Sequence, residues 1–218
     1  MTSMSTQCFL ALGAALLGGC ASTGADAGKA RHVSDLSSYV PLAVGISYTY
    51  EMRYPGQVGE MSVSYVGQKD GYIVDDKNGA FRLTADGLRD RDRYLVKLPL
   101  EVGTAWRTVV GPSAVEHAQI ISVGQPCEAV AGKFFDCLTV HSWIKHSEKM
   151  TLHIEWTWAK DVGLVKLETT ADVAGKGKLP QVKQSLKSYT IGGQTHGPAA
   201  APAAEGKGPD DGPSTWSQ

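Results

Sequence analysis

The segment Leu98-Pro99-Leu100-Glu101-Val102-Gly103-Thr104-Ala105-Trp106 restates an earlier one, Val40-Pro41-Leu42-Ala43-Val44-Gly45-Ile46-Ser47-Tyr48. In each, a Pro-Leu pair leads to Val-Gly, and an aromatic residue stands three places after the glycine. Val162-Gly163 repeats the dipeptide once more. Proline fixes φ and cannot donate to a sheet ladder, and glycine takes backbone angles that other residues avoid. Each copy therefore predicts a corner that launches a β-strand, and the corners divide the chain into strand groups.

Outward from these corners the pattern has a period of two. Ile46, Tyr48, Tyr50 and Met52 alternate with Ser47, Thr49, Glu51 and Arg53, and Pro55-Gly56 turns the chain into Met61, Val63 and Tyr65 alternating with serines. Asn78-Gly79 favours the primed turn of a tight hairpin between Tyr72–Val74 and Ala80–Leu83. The alternating Asp and Arg of Arg89 to Arg93 read as a charged, solvated edge that blocks sheet-to-sheet association, in preference to an anion site. Further strands are expected at Thr104–Val110, Val115–Val123, Phe134–Ile144, Met150–Trp158, Gly163–Thr170 and Gln184–Ile191, and no helix is expected. The fold class is all-β: a mainly antiparallel, strongly curved sheet or half-open barrel of sequential hairpins.

Two hairpins make specific expectations. If Gly132 centres a turn, Cys127 and Cys137 lie directly opposite each other, close to disulfide range. The reading is structural, because no Cys-x-x-Cys spacing is present to activate a thiol. With Ser147 at the centre of the next turn, Ile144 meets Met150 and Val140 meets Ile154, which gives a core face running from Leu138 to Trp158. On the other face His141 would oppose His153 with Glu155 diagonal to it. Such a trio could ligate zinc or titrate near pH 6.5, but two histidines on a solvated sheet face are commonplace, so a structural role is preferred to a metal site.

The apolar run Cys8–Gly19 is of export-signal length, too short to span a bilayer as a helix. Its end, Leu17-Gly18-Gly19-Cys20, resembles the bacterial lipobox. That resemblance implies cleavage between Gly19 and Cys20, diacylglycerol and palmitate-type acylation at Cys20, and anchoring to a lipid bilayer. Met1–Gln7 departs from the pattern in having no Lys or Arg. Ala21, where retained lipoproteins of enteric bacteria carry Asp, implies the outer membrane facing the periplasm if the host is Gram-negative. The chain then divides into a signal peptide (1–19), a lipidated Cys and flexible tether (20–35), one β domain (36–191) and a disordered Gly/Pro/Ala-rich tail (192–218).

A net charge of -1 leaves no electrostatic footprint for nucleic acid. No nucleophile elbow, His-Glu-x-x-His, phosphate loop or Ca²⁺ loop is present, so no catalytic residues and no cofactor are assigned and the chain is expected not to be an enzyme. With Tyr39 before the first corner and Trp158-x-x-x-Val162-Gly163-Leu164-Val165-Lys166 near the end, the chain resembles a loose class of bacterial lipoproteins without assigned activity. The resemblance implies a fold alone. The expected role is binding of an apolar ligand or a partner on the sheet; the alternative is a structural or assembly component of the envelope that works through protein contacts.

Overall fold

The structure, a computed structural model, describes residues 33–111 and 114–198. Gly19, Cys20, the signal segment, the tether before residue 33 and the tail after residue 198 lie outside the described residues. The chain order is α1 (Val33–Tyr39), β1 (Ser47–Tyr54), β2 (Gln57–Lys69), β3 (Tyr72–Asp75), β4 (Ala80–Thr84), β5 (Gly87–Arg89), β6 (Tyr94–Lys97) and β7 (Ala105–Val109). Then follow β8 (Val115–Ala129), β9 (Gly132–Ser147), β10 (Met150–Ala159), β11 (Gly163–Val173), β12 (Gly177–Ile191) and β13 (Gln194–His196).

The strands form one antiparallel sheet in the order β6-β5-β4-β3-β2-β1-β12-β11-β10-β9-β8-β7, with β13 added beside β12. It curls into a barrel that is nearly closed, with one unsealed seam between its end strands β6 and β7. Side chains span the seam where a ladder does not. The Trp106 indole Nε1 donates to the Tyr94 carbonyl at 3.0 Å, and Arg93 Nη1 reaches Glu116 Oε2 at 2.6 Å. The expected solvated edge at Arg89–Arg93 is thus partly an internal brace: Asp90 Oδ1 accepts from the Asp92 and Arg93 amides, and Arg93 points across to a buried carboxylate.

The corner motif docks in the same way twice. Gly45 N donates to Tyr65 O and Tyr65 N returns a bond to Ile46 O; Gly103 N donates to Ile120 O and Ile120 N returns one to Thr104 O, all at 2.9 Å. The third corner is gripped by the first. Tyr48 Oη donates to Val162 O at 2.9 Å and Tyr50 Oη to Leu164 O at 3.0 Å. Gly163 sits at φ 110°, and a Cβ there would lie 2.6 Å from the Tyr48 hydroxyl oxygen, so the aromatic side chain and the glycine require each other.

Three local expectations are corrected. First, helix α1 exists and starts inside the segment read as tether; Leu36 and Tyr39, one turn apart, are fully buried against Leu88, Val96, Leu138 and Trp158. Two turns are too few to persist alone, so this helix depends on tertiary burial rather than on propensity. Second, β13 lies beyond Ile191, where a disordered tail was expected to begin. Third, Asn78-Gly79 is not a two-residue primed turn: Asn78 alone has positive φ (69°), and Asp75 Oδ1 holds the longer loop by accepting from Lys77 N and Gly79 N.

Cys127 and Cys137 are joined by a disulfide with Cα atoms 6.1 Å apart, but they are not opposite each other. Cys127 faces Phe134 and Cys137 faces Gln125, because register shifts interrupt β8 on either side of Val123 and Gln125. The tip of this hairpin bends back over the sheet, where Val130 N donates to Ser185 Oγ at 3.1 Å and Ala131 N to Leu186 O at 2.7 Å. Thr157, Trp158 and Ala159 are all buried in succession, so both faces of β10 are covered there. Replacing both cysteines by alanine is expected to cost about 2–3 kcal/mol by the chain-entropy argument for so short a loop. Amide exchange should rise at Ala129–Phe134 and stay unchanged in β1 and β2; uniform exchange across the sheet would show that the bridge does not specifically hold the tip.

Candidate functional site

Two places gather chemistry: a cleft inside the barrel and a row of rings outside it. The cleft follows from the alternation in β1. Tyr48, Tyr50 and Met52 turn inward and are buried, and from β10 Trp158, buried, and Trp156, half-buried, do the same, their rings stacked 6.1 Å apart. Between them the barrel leaves a cleft of about 150 Å³ with aromatic walls from Tyr48, Tyr50, Tyr65, Phe81, Trp156 and Trp158. At Phe81, Leu95 and Trp156 it meets a shallow depression bordered by Asn78 and the Asp90-Arg91-Asp92 loop.

The polar groups in this cleft differ in their partners. The Tyr48 and Tyr50 hydroxyls are spent on backbone carbonyls. Burial, followed by the Asp75 carboxylate paired opposite, holds the Tyr65 phenol well above its ordinary range, so it stays protonated. Gln184, 8% exposed, lies in register with Met52 and Leu167, and among the described residues its carboxamide has no hydrogen-bond partner.

On the outside, four rings stack across three strands. His117 lies 5.3 Å from Trp143, Trp143 5.3 Å from His141, and His141 5.2 Å from His153. The expected pairing is shifted by two residues, since the turn is at Glu148-Lys149: His141 faces Glu155 and His153 faces Trp143. Parity survives the shift, so both histidines keep the outer face. They meet diagonally, with His141 Nε2 and His153 Nδ1 hydrogen-bonded at 3.0 Å. A hollow of about 200 Å³ beside them is bordered by Glu155, Glu168, Thr170 and Lys178. Among the described residues no group of three or more His, Cys, Asp or Glu could hold a metal ion, so the His-His-Glu zinc arrangement is not formed.

Burial, then the His153 charge, pushes the His141 pKa below 6.5; Glu155 opposes and Lys178 adds to the shift. A histidine held below its unfolded value stabilises the fold above about pH 6.5, and that contribution is lost as pH falls through the lowered value. The melting temperature should therefore drop from pH 7 to pH 5, and less steeply in His141→Gln. Parallel curves for the two proteins would refute the assignment.

The outer surface carries charge around this row: Lys183 pairs with Glu168 at 3.0 Å, and Arg53 with Glu51 at 2.5 Å. An apolar interior with a charged outside is the reverse of the pattern of a transmembrane barrel. No helix among the described residues is long and apolar enough to cross a membrane.

No protein-family model matches the chain, and no curated protein matches its sequence. Among solved structures it is similar to a protein from Bacteroides fragilis NCTC 9343 described as exported and of YmcC-like fold, at 10% identity and TM-score 0.43, covering 70% of this chain and 98% of that one. It is also similar to a protein from Parabacteroides distasonis ATCC 8503 described as a lipoprotein, at 13% identity and TM-score 0.39, covering 70% of this chain and 98% of that one.

Proposed function

We propose that this chain is a non-enzymatic lipoprotein of the cell envelope, anchored through acylated Cys20, whose barrel receives the apolar part of a small ligand. The aromatic cleft is the observation that carries the reading. Its walls are mostly apolar, it joins a surface depression at Trp156, and the Tyr48 and Tyr50 hydroxyls that line it are satisfied by backbone carbonyls. At about 150 Å³ it is smaller than the roughly 300–1,000 Å³ of drug-sized sites, which limits the occupant to a single ring or a short chain. The lipobox and signal core place the protein outside the cytoplasm, and in a Gram-negative host Ala21 directs it to the outer membrane facing the periplasm.

The test is native mass spectrometry on the full mature chain carrying Cys20→Ser, exported to a periplasm and purified without detergent. A small bound mass that leaves on denaturation supports the reading. A clean mass favours the second reading, assembly through protein contacts, for which the β7 edge speaks: Val109 is 75% exposed, with Val110 and Val115 exposed on the same hairpin. Incorporation of labelled palmitate by the natural chain, lost in Cys20→Ser, tests the anchor separately.

A further inference from the structure

We infer that the cleft is built for a small neutral amphiphile, a phenol-sized molecule whose single hydrogen-bonding group is met by the Gln184 carboxamide. The inference rests on the binding reading above and adds the chemical class of the occupant.

The Gln184 carboxamide has no hydrogen-bond partner among the described residues, and because the residue is more than nine-tenths buried and lines the cleft, the small exposure it keeps is toward that space. It stands in an apolar row: Val182, Gln184 and Leu186 share one side of β12, with Met52 and Leu167 beside the Gln. A leucine or methionine there would pack in the same row without presenting an amide to the cleft. The position makes sense if something in the cleft supplies the missing hydrogen bond, and a carboxamide can satisfy a hydroxyl whichever way the proton points.

The rest of the lining selects against charge. It includes one carboxylate, Asp75, and no Lys, Arg or His, so a carboxylate ligand would meet repulsion and no compensating cation. The Tyr65 hydroxyl, which has no hydrogen-bond partner among the described residues, is a second neutral group that could reach the same head. For size, an engineered apolar cavity of about 150 Å³ accommodates benzene, which fits one ring here as well.

The experiment is calorimetric titration of the full mature Cys20→Ser chain with benzene, phenol and hexanoate, repeated on Gln184→Leu. Expected is saturable binding of phenol and benzene, no binding of hexanoate, and in Gln184→Leu a roughly tenfold loss of phenol affinity with benzene unchanged, the size of one buried hydrogen bond. If phenol and benzene change together or not at all, Gln184 does not read the head group, and the amphiphile inference fails while the cleft reading stands. Hexanoate binding as tightly as phenol overturns the exclusion of anions. If even benzene fails to bind, the cleft reading itself falls. Should Gln184→Leu not fold, Gln184→Met keeps the side-chain length and is judged by the same ratio.

Discussion

Gly87→Ala is expected to cost about 4 kcal/mol or more, or to prevent folding, although the change adds one methyl group to a short strand. Gly87 holds φ at 145°, and a Cβ there would lie 2.0 Å from the Val96 carbonyl oxygen and 3.0 Å from the Lys97 Cα. These are backbone atoms of β6, so no side chain can rotate away. The strand itself must move, and β6 carries buried Leu95 and Val96 and the Tyr94 carbonyl that receives the Trp106 indole. Strain and lost seam contacts therefore add. Urea unfolding should show the midpoint lowered by about 2 M if the slope is near 2 kcal/mol/M. Gly175→Ala is the control: φ is 78° but nothing lies within 4 Å, so only backbone strain of about 1 kcal/mol applies. Equal losses at the two positions would show that the close approach of Gly87 to β6 is not real.

Arg93→Ala should be the next most damaging change. Arg93 Nη1 lies 2.6 Å from Glu116 Oε2, with the two side chains 21% and 6% exposed. Removing the guanidinium leaves a carboxylate in the core without a cation, a situation that costs about 3–5 kcal/mol when a buried pair is broken from one side. The guanidinium also sits 5.8 Å from the Trp156 ring centroid, so the wall of the cleft loses support too. Glu116→Leu alone leaves a partly solvated cation that still pairs with Asp90 Oδ2 at 3.4 Å, and should cost less. In the double variant Arg93→Met with Glu116→Leu, stability should return to within about 1 kcal/mol of the parent, because both charges go together. Additive losses in that cycle would mean that the two residues act independently and that the seam is held by something else.

The parts of this architecture that follow from period-two alternation were legible in the sequence. Tyr48, Tyr50 and Met52 are all buried on one side of β1, as is Ile46 just before it, and the Pro55-Gly56 turn sets the pairing of Tyr54 with Gln57. The core face of β9 and β10 was readable for the same reason, since a shift of two residues leaves every side chain on its own face. Exact partners were not legible. Bulges near Val123, Gln125 and Thr157 add or skip residues, and nothing in local composition announces them. Helix α1 was hidden because seven residues carry little propensity signal, although Leu36, Tyr39 and Val40 have helical spacing. The cleft's polar member was readable in principle: Val182-Lys183-Gln184-Ser185-Leu186 places a glutamine in an apolar row, and only the curvature of the sheet shows that this row faces inward.

In the strand order, every neighbouring pair on the path but one joins strands consecutive in the chain; the exception is β1 with β12, where Tyr50 meets Leu186. This single distant pairing has a consequence for maturation. Hairpins β1–β2 and β8–β9 can form as soon as their residues emerge, because their loops close over short distances. The ring of strands cannot shut until β12, near the C-terminus, has arrived. Until then the inner faces of β1 and β10 stay wet, and the aromatic cleft comes into being only when the final long strand docks.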